Sequence, residues 1–120
     1  MMAASLNEQK IENNREMKVV EYISEKTIVL LKERHKSEVL DALVAMAAGL
    51  GLVADVPLFR SAIDTREAFC STAIGDEIAI PHAKIPGIDS FFVITAVMLG
   101  AVEWDAPDQK PVRIIFLIGG

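Results

Sequence analysis

The chain has 120 residues, 52% of them hydrophobic and 24% charged, which suits one globular domain with an ordinary core and leaves little room for two. Its net charge of −5 and its scattered Lys and Arg residues argue against a nucleic-acid-binding surface, which needs clustered cations to neutralise phosphates. The longest uncharged stretches, Ala42 to Ala54 and Ser90 to Val102, fall short of the roughly 20 apolar residues that span a bilayer, so no direct membrane insertion is expected.

Met1 to Glu16 is mostly polar and lacks the apolar core of a secretory signal; it reads as a flexible arm, an interaction tail or an expression remnant. Met17 opens the first apolar pattern and offers a second start site. Val19, Val20 and Ile23 predict a short helical turn, and the β-branched, apolar run Thr27 to Leu31 predicts a strand. A charged loop, Lys32 to Lys36, follows. Ser37, with Glu38 beside it, is the expected N-cap of a helix whose Val39, Leu40, Leu43, Val44 and Ala47 recur at helical spacing until Gly49 and Gly51. Asp55 and Pro57 start a second helix, with Leu58, Phe59, Ala62, Ile63 and Phe69 on one face and an end near Cys70.

Gly75 marks a turn, Glu77 to Ile80 a short strand, and Pro86-Gly87 another turn. Phe91 to Leu99 and Val112 to Ile118 are nearly continuous apolar runs, as expected for central strands covered on both faces. Between them, Val102 to Trp104 reads as a brief edge strand and Ala106-Pro107-Asp108 as a turn. The fold class is α/β, a mixed β-sheet flanked by helices, because the connection between the last two strands is too short for a parallel crossover. A sheet buried on both faces needs covering layers, yet the sequence ends at Gly119-Gly120 directly after a central strand. The expectation is that C-terminal helices are missing, the chain being a fragment, or that a partner covers that surface.

His82, in Ala79-Ile80-Pro81-His82-Ala83, is the first candidate for chemistry. Pro81 has no amide proton and ends the ladder pairing of the preceding strand, which places His82 where strand becomes loop. An imidazole with an ordinary pKa of about 6.5 is largely neutral at cellular pH and can attack phosphorus or carry a proton. Nucleophile, general base, metal ligand and structural histidine all remain open from this position alone.

Arg66 is the second candidate. At about 100° per residue from Leu58 it falls near 80°, inside the apolar arc of its helix. One reading has it snorkel to water or hydrogen-bond the carbonyls of the helix's last turn; the other makes it an anion clamp, since its planar fork suits a phosphoryl group. Ser71 and Thr72 offer hydroxyl donors to phosphoryl oxygens or brace the backbone. Asp76 either orients the second ring nitrogen of His82 or is a solvated turn residue. His35 reads as a solvated loop residue. The single cysteine, Cys70, excludes an internal disulfide and suits a reducing compartment such as the cytoplasm, and its pairing with His82 as a thiol nucleophile and base is a weak signal. Two histidines and one cysteine at irregular separations form no metal-binding pattern, and the lack of a glycine-rich phosphate loop argues against direct use of ATP.

Arg66-Glu67, Ser71 to Gly75 and Ile78 to Ala83 together resemble the active-site region of enzyme IIA domains of the bacterial sugar phosphotransferase system, of the fructose, mannitol and nitrogen-regulatory type. Leu58 to Ile63, Trp104, Asp108, Pro111-Val112 and Ile114 to Leu117 extend the resemblance over most of Met17 to Ile118, making residues 17–120 one IIA-like domain. The resemblance implies a phosphotransferase/anion transport protein-like fold. It also implies that His82 accepts a phosphoryl group from the phosphocarrier protein HPr or a paralogue. His82 would then pass the group to a IIB domain, or serve as a regulatory mark read by partner proteins. Arg66 matches the family's active-site arginine, Ser71, Thr72 and Asp76 fall in the supporting segment, and no metal or organic cofactor is implied. Glu77 departs from the pattern, standing where a small residue, often glycine, is expected, and a carboxylate there would approach the phosphoryl site.

Overall fold

The computed structural model describes residues 23–120; Val19 and Val20 of the expected helical turn, and the arm expected over residues 1–16, lie outside them. A 3-10 turn, Glu25–Thr27, leads into β1 (Ile28–Leu31). The Ser24 amide donates to Thr27 Oγ1 at 2.9 Å, and the same hydroxyl donates to the Ser24 carbonyl at 3.1 Å, so Thr27 closes the turn rather than starting the strand.

Helix α1 (Lys36–Gly49) starts one residue before the expected cap: His35 occupies the N-cap position without a side-chain capping bond. Ser37 instead sits in the first turn, where its hydroxyl and its carbonyl each accept from Arg60 Nη2 at 3.3 Å. The stripe Val39, Leu40, Leu43, Val44 and Ala47 is buried as its spacing requires. Helix α2 (Val56–Phe69) is capped by Asp55, whose Oδ1 accepts from the Leu58 amide at 3.1 Å, and Cys70 follows its end. Of its expected apolar face, Phe59 and Ile63 are fully buried, whereas Leu58 is 44% and Phe69 89% exposed. A helix lying on one sheet buries a narrow stripe, and Leu58 and Phe69 lie about 100° around the wheel from its centre.

The remaining strands are β2 (Ala73–Gly75), β3 (Ile78–Ala79), β4 (His82–Ala83), β5 (Phe92–Val102) and β6 (Val112–Gly119). They form a six-stranded sheet in the order β1-β5-β6-β3-β2, with β4 also on β6. β1 runs parallel to β5, β5 antiparallel to β6, and β3 parallel to β6, so the sheet is mixed, as the short β5–β6 connection demands. β5 continues to Val102, which pairs with Val112; of the expected edge strand at Val102 to Trp104, Val102 ends the central strand and the other two residues lie in no strand.

One face of the sheet carries Phe92, Ile94, Ala96, Met98, Ile115 and Leu117, which join α1 and α2 in a single core cluster. Phe59 and Phe92 meet there with ring centroids 5.9 Å apart. Ile63 and Phe59, fully buried, each contribute roughly 1.5–3 kcal/mol by removal from water. The opposite face carries Ile28, Leu30, Val97, Leu99 and Ile114, all between 37% and 63% exposed. Val93 and Thr95 on that same face are 1% and 7% exposed, so among the described residues the expectation of strands covered on both faces holds on the helical side and over only part of the other. An unbroken apolar run reports that both faces are apolar, and does not report what lies over each.

Candidate functional site

β3 and β4 pair with β6 in one unbroken register, Ile78 with Ile114, Ala79 with Ile115, His82 with Ile118 and Ala83 with Gly119. Pro81 interrupts this ladder without ending it. It has no N–H to give, but its carbonyl still accepts from the Ile118 amide at 3.0 Å, so the chain stays beside β6 and pairing resumes at His82. The imidazole thus stands on a strand, on a firmer base than the loop position read from sequence.

The ring of His82 is exposed, and its Nδ1 lies 2.8 Å from the carbonyl oxygen of Ile80. A carbonyl can only accept, so Nδ1 carries the proton and Nε2 presents a free lone pair. His82 borders a cleft of about 410 Å³ that it shares with Ala62, Thr65, Arg66 and Phe69 of α2 and with Ala83 and Lys84. Lys84 follows the end of β4 and lines the same cleft as His82. The cleft's polar lining is two cationic side chains, the imidazole and one hydroxyl, with no carboxylate, which is the chemistry of an anion site.

Arg66 makes the carbonyl bond of the first reading and borders the cleft that the second requires. Its Nη1 donates to the Cys70 carbonyl at 2.7 Å, securing an open carbonyl beyond the helix end, and the residue also lines the cleft. Lys84 was not singled out from the sequence. It lies two residues after His82, just past the end of β4, and the cleft's lining is what brings it beside the imidazole.

Ser71, Thr72 and Asp76 do not line the cleft. Ser71 Oγ donates to the Trp104 carbonyl at 2.6 Å and accepts from the Ala73 amide at 3.2 Å. Thr72 is 4% exposed, with Oγ1 accepting from Trp104 Nε1 at 3.4 Å. Both hydroxyls brace the turn that brings the chain back from α2 to the His82 strand. Asp76 sits in the β2–β3 turn with φ of 55°, its amide donating to Asp108 Oδ2 at 2.9 Å; the proton on His82 is set by Ile80 instead. That amide and the one of Lys110 hold the Asp108 carboxyl below its usual range. Cys70 is exposed and outside the cleft's lining, so it forms no pair with His82 there.

Glu77 shares the turn, with φ of 66°, a left-handed conformation that glycine adopts without strain. The preference for a small residue here is thus explained by backbone geometry. Its carboxylate is held by Arg113 Nε at 2.8 Å and does not line the cleft.

The neighbour of Arg66, Glu67, turns the other way and is buried, its side chain 6% exposed. Its Oε1 accepts from Lys36 Nζ at 2.7 Å, Trp104 Nε1 at 3.0 Å and the Thr72 amide at 3.4 Å, and Lys36 lies 5.1 Å from the centre of the Trp104 ring. Burial pushes this carboxyl up, but the bonds from Lys36 and Thr72 and the ammonium's charge outweigh it, leaving Glu67 below the ordinary value of 4.5. Among the described residues, no group of three or more His, Cys, Asp or Glu could hold a metal ion, and no helix is long and apolar enough to cross a membrane.

Residues 21–120 match the family model described as phosphoenolpyruvate-dependent sugar phosphotransferase system, EIIA 2. The chain belongs to this family. This EIIA domain is 31% identical over 103 residues to the fructose-specific EIIABC component of the phosphotransferase system of Bacillus subtilis, covering 85% of the chain and 16% of that relative. It is 32% identical over 88 residues to a nitrogen regulatory protein of Bradyrhizobium diazoefficiens, covering 73% of the chain and 57% of that relative. The chain therefore spans well under two thirds of the length of either. Its fold matches the crystal structure of the nitrogen regulatory protein IIA-Ntr from Neisseria meningitidis with a TM-score of 0.76 at 24% identity, over 82% of this EIIA chain and 68% of that one.

Proposed function

We propose that this EIIA domain is a cytoplasmic phosphocarrier that accepts a phosphoryl group on Nε2 of His82 from HPr or a paralogous phosphocarrier protein and passes it to a IIB domain in sugar uptake. The observation that carries the reading is the shared cleft: an imidazole with its lone pair on the outer nitrogen, bordered by Arg66 and Lys84 and by no carboxylate. In the transfer, Nε2 donates its electron pair to phosphorus in line with the departing bond, whose electrons leave with the donor protein. The Nδ1 proton stays against the Ile80 carbonyl, which stabilises the positive charge that develops on the ring. Arg66 neutralises charge on the equatorial oxygens, and Lys84 adds a second cation, so catalysis is positioning and electrostatics. Ser71 and Thr72 support the site by holding the turn that carries the His82 strand.

Transport is supported by the fructose-specific relative, whose name places an EIIA part with B and C parts. A second reading, a regulatory module whose His82 phosphorylation state controls partner proteins, is supported by the nitrogen regulatory relative. Both require the same phosphohistidine. Incubation with enzyme I, HPr and phosphoenolpyruvate, followed by intact-mass measurement, is expected to add one phosphate mass to the wild type and none to His82→Ala. A folded wild-type protein that gains no phosphate from the cognate donors refutes both readings.

A further inference from the structure

Glu67 is a buried carboxylate for which the transfer chemistry has no direct use, and it sits one residue from Arg66. A chain of hydrogen bonds connects it to the other side of the cleft. Its Oε1 accepts from the Thr72 amide at 3.4 Å, the Thr72 carbonyl accepts from the Ile80 amide at 3.0 Å, and the Ile80 carbonyl holds Nδ1 of His82 at 2.8 Å. We propose that Glu67 is the positioning residue of the phosphoryl site, holding Arg66 through the helix it shares and the His82 tautomer through the Thr72–Ile80 backbone link.

Three elements converge on this carboxylate. Lys36 brings the start of α1, Trp104 brings the segment after β5, and Thr72 brings the turn after α2. Ser71 adds a second fastening between that turn and Trp104. Loss of the carboxylate would leave the Trp104 N–H, buried with the residue 1% exposed, and the Lys36 ammonium without their principal acceptor, and would remove the Thr72 amide's bond to α2. The consequence for chemistry lies in geometry: the Thr72 carbonyl holds the Ile80 amide on one side of the residue whose carbonyl meets His82, while β6 holds the next residues on the other. A ring whose Nδ1–H is no longer held samples the other tautomer, in which Nε2 carries the proton and cannot attack.

This inference rests on His82 as the phosphoryl acceptor, and its test separates the two. Glu67→Ala is expected to lower the rate of phosphoryl acceptance at saturating donor about tenfold or more, because misplacing reacting groups by an ångström costs up to about a hundredfold. Donor affinity is expected to change less than twofold. Nitrogen-15 NMR of the imidazole should show a single Nδ1–H tautomer in the wild type and a mixture in the variant. Should Glu67→Ala not fold, the isosteric Glu67→Gln decides by the same readouts: its amide oxygen accepts less strongly than a carboxylate, so a smaller shift in the same direction is expected. A folded variant with wild-type tautomer and wild-type rate overturns the proposal. If the wild type accepts no phosphate, the functional reading fails, and the tautomer measurement still judges the positioning by itself.

Discussion

Replacing Arg66 by alanine tests the anion cleft most directly. Among the described residues the side chain makes one hydrogen bond, from Nη1 to the Cys70 carbonyl at 2.7 Å, at a half-buried site. Losing such a bond costs about 0.5–1.5 kcal/mol of stability, and a domain of this size loses roughly 4–8 °C in Tm per kcal/mol. Losing a preorganised donor to a developing anion costs about 2.7–4 kcal/mol in the transition state, or 10²–10³-fold in rate. Lys84 remains in the cleft of Arg66→Ala, which puts the expected loss at the lower end, about 10²-fold. Arg66→Lys, which keeps the charge and loses the planar fork, should recover part of it. Lys84→Ala alone should slow acceptance about fivefold, since an exposed unit charge about 4 Å away in water is worth about 1 kcal/mol. The assay is rapid-quench phosphorylation by a phosphorylated donor, with thermal melts run in parallel. A folded Arg66→Ala protein that accepts phosphate at the wild-type rate refutes the clamp, and a Tm loss far larger than that range shows that the residue is mainly structural.

Two further outcomes follow from packing and charge. A Cβ on Gly119 would stand 2.3 Å from Cε2 of Phe92, a ring 3% exposed and packed on Phe59, so Gly119→Ala should cost about 1–3 kcal/mol by overpacking; an unchanged Tm would show that the ring can move aside. Glu67 has a folded-state pKa below its ordinary 4.5, so it binds its proton less tightly when folded than when unfolded. The stability it contributes is complete above about 4.5 and is lost as pH falls through the depressed folded value. Melting across acidic pH should therefore show a steeper decline for the wild type than for Glu67→Gln, and parallel curves would show that Glu67 carries no such linkage.

Local rules were legible in the chain wherever an element's own chemistry decides it. Asp55 and Pro57 start α2 because a side-chain acceptor and a fixed φ act within one turn. Val39 to Ala47 bury a stripe because helical spacing puts them on one side. The run around Pro81 and His82, with Arg66 upstream, left several chemistries open by residue type alone; its resemblance to enzyme IIA domains is what pointed to phosphoryl transfer, and the family match supports the resemblance.

What the sequence could not decide depends on groups far apart along the chain. Ser71 and Thr72 are hydroxyls between the candidate arginine and the candidate histidine in sequence, yet both bond Trp104, some thirty residues on, and neither lines the cleft. Leu58 and Phe69 are apolar, but the residues of α2 that reach the core are Phe59 and Ile63, with Val56 and Ala62 partly buried beside them. The proton on His82 is placed by a backbone carbonyl, which carries no residue-type signal, so Asp76 was the only orienting group that reading residues could suggest. A lone-pair direction, a buried carboxylate shared by three elements and the covered face of a sheet are all properties of contacts. The sequence by itself determined which side chains were available and on which local face each lay; tertiary packing decided which of them meet, because a hydrogen bond acts over about 3 Å whatever the separation along the chain.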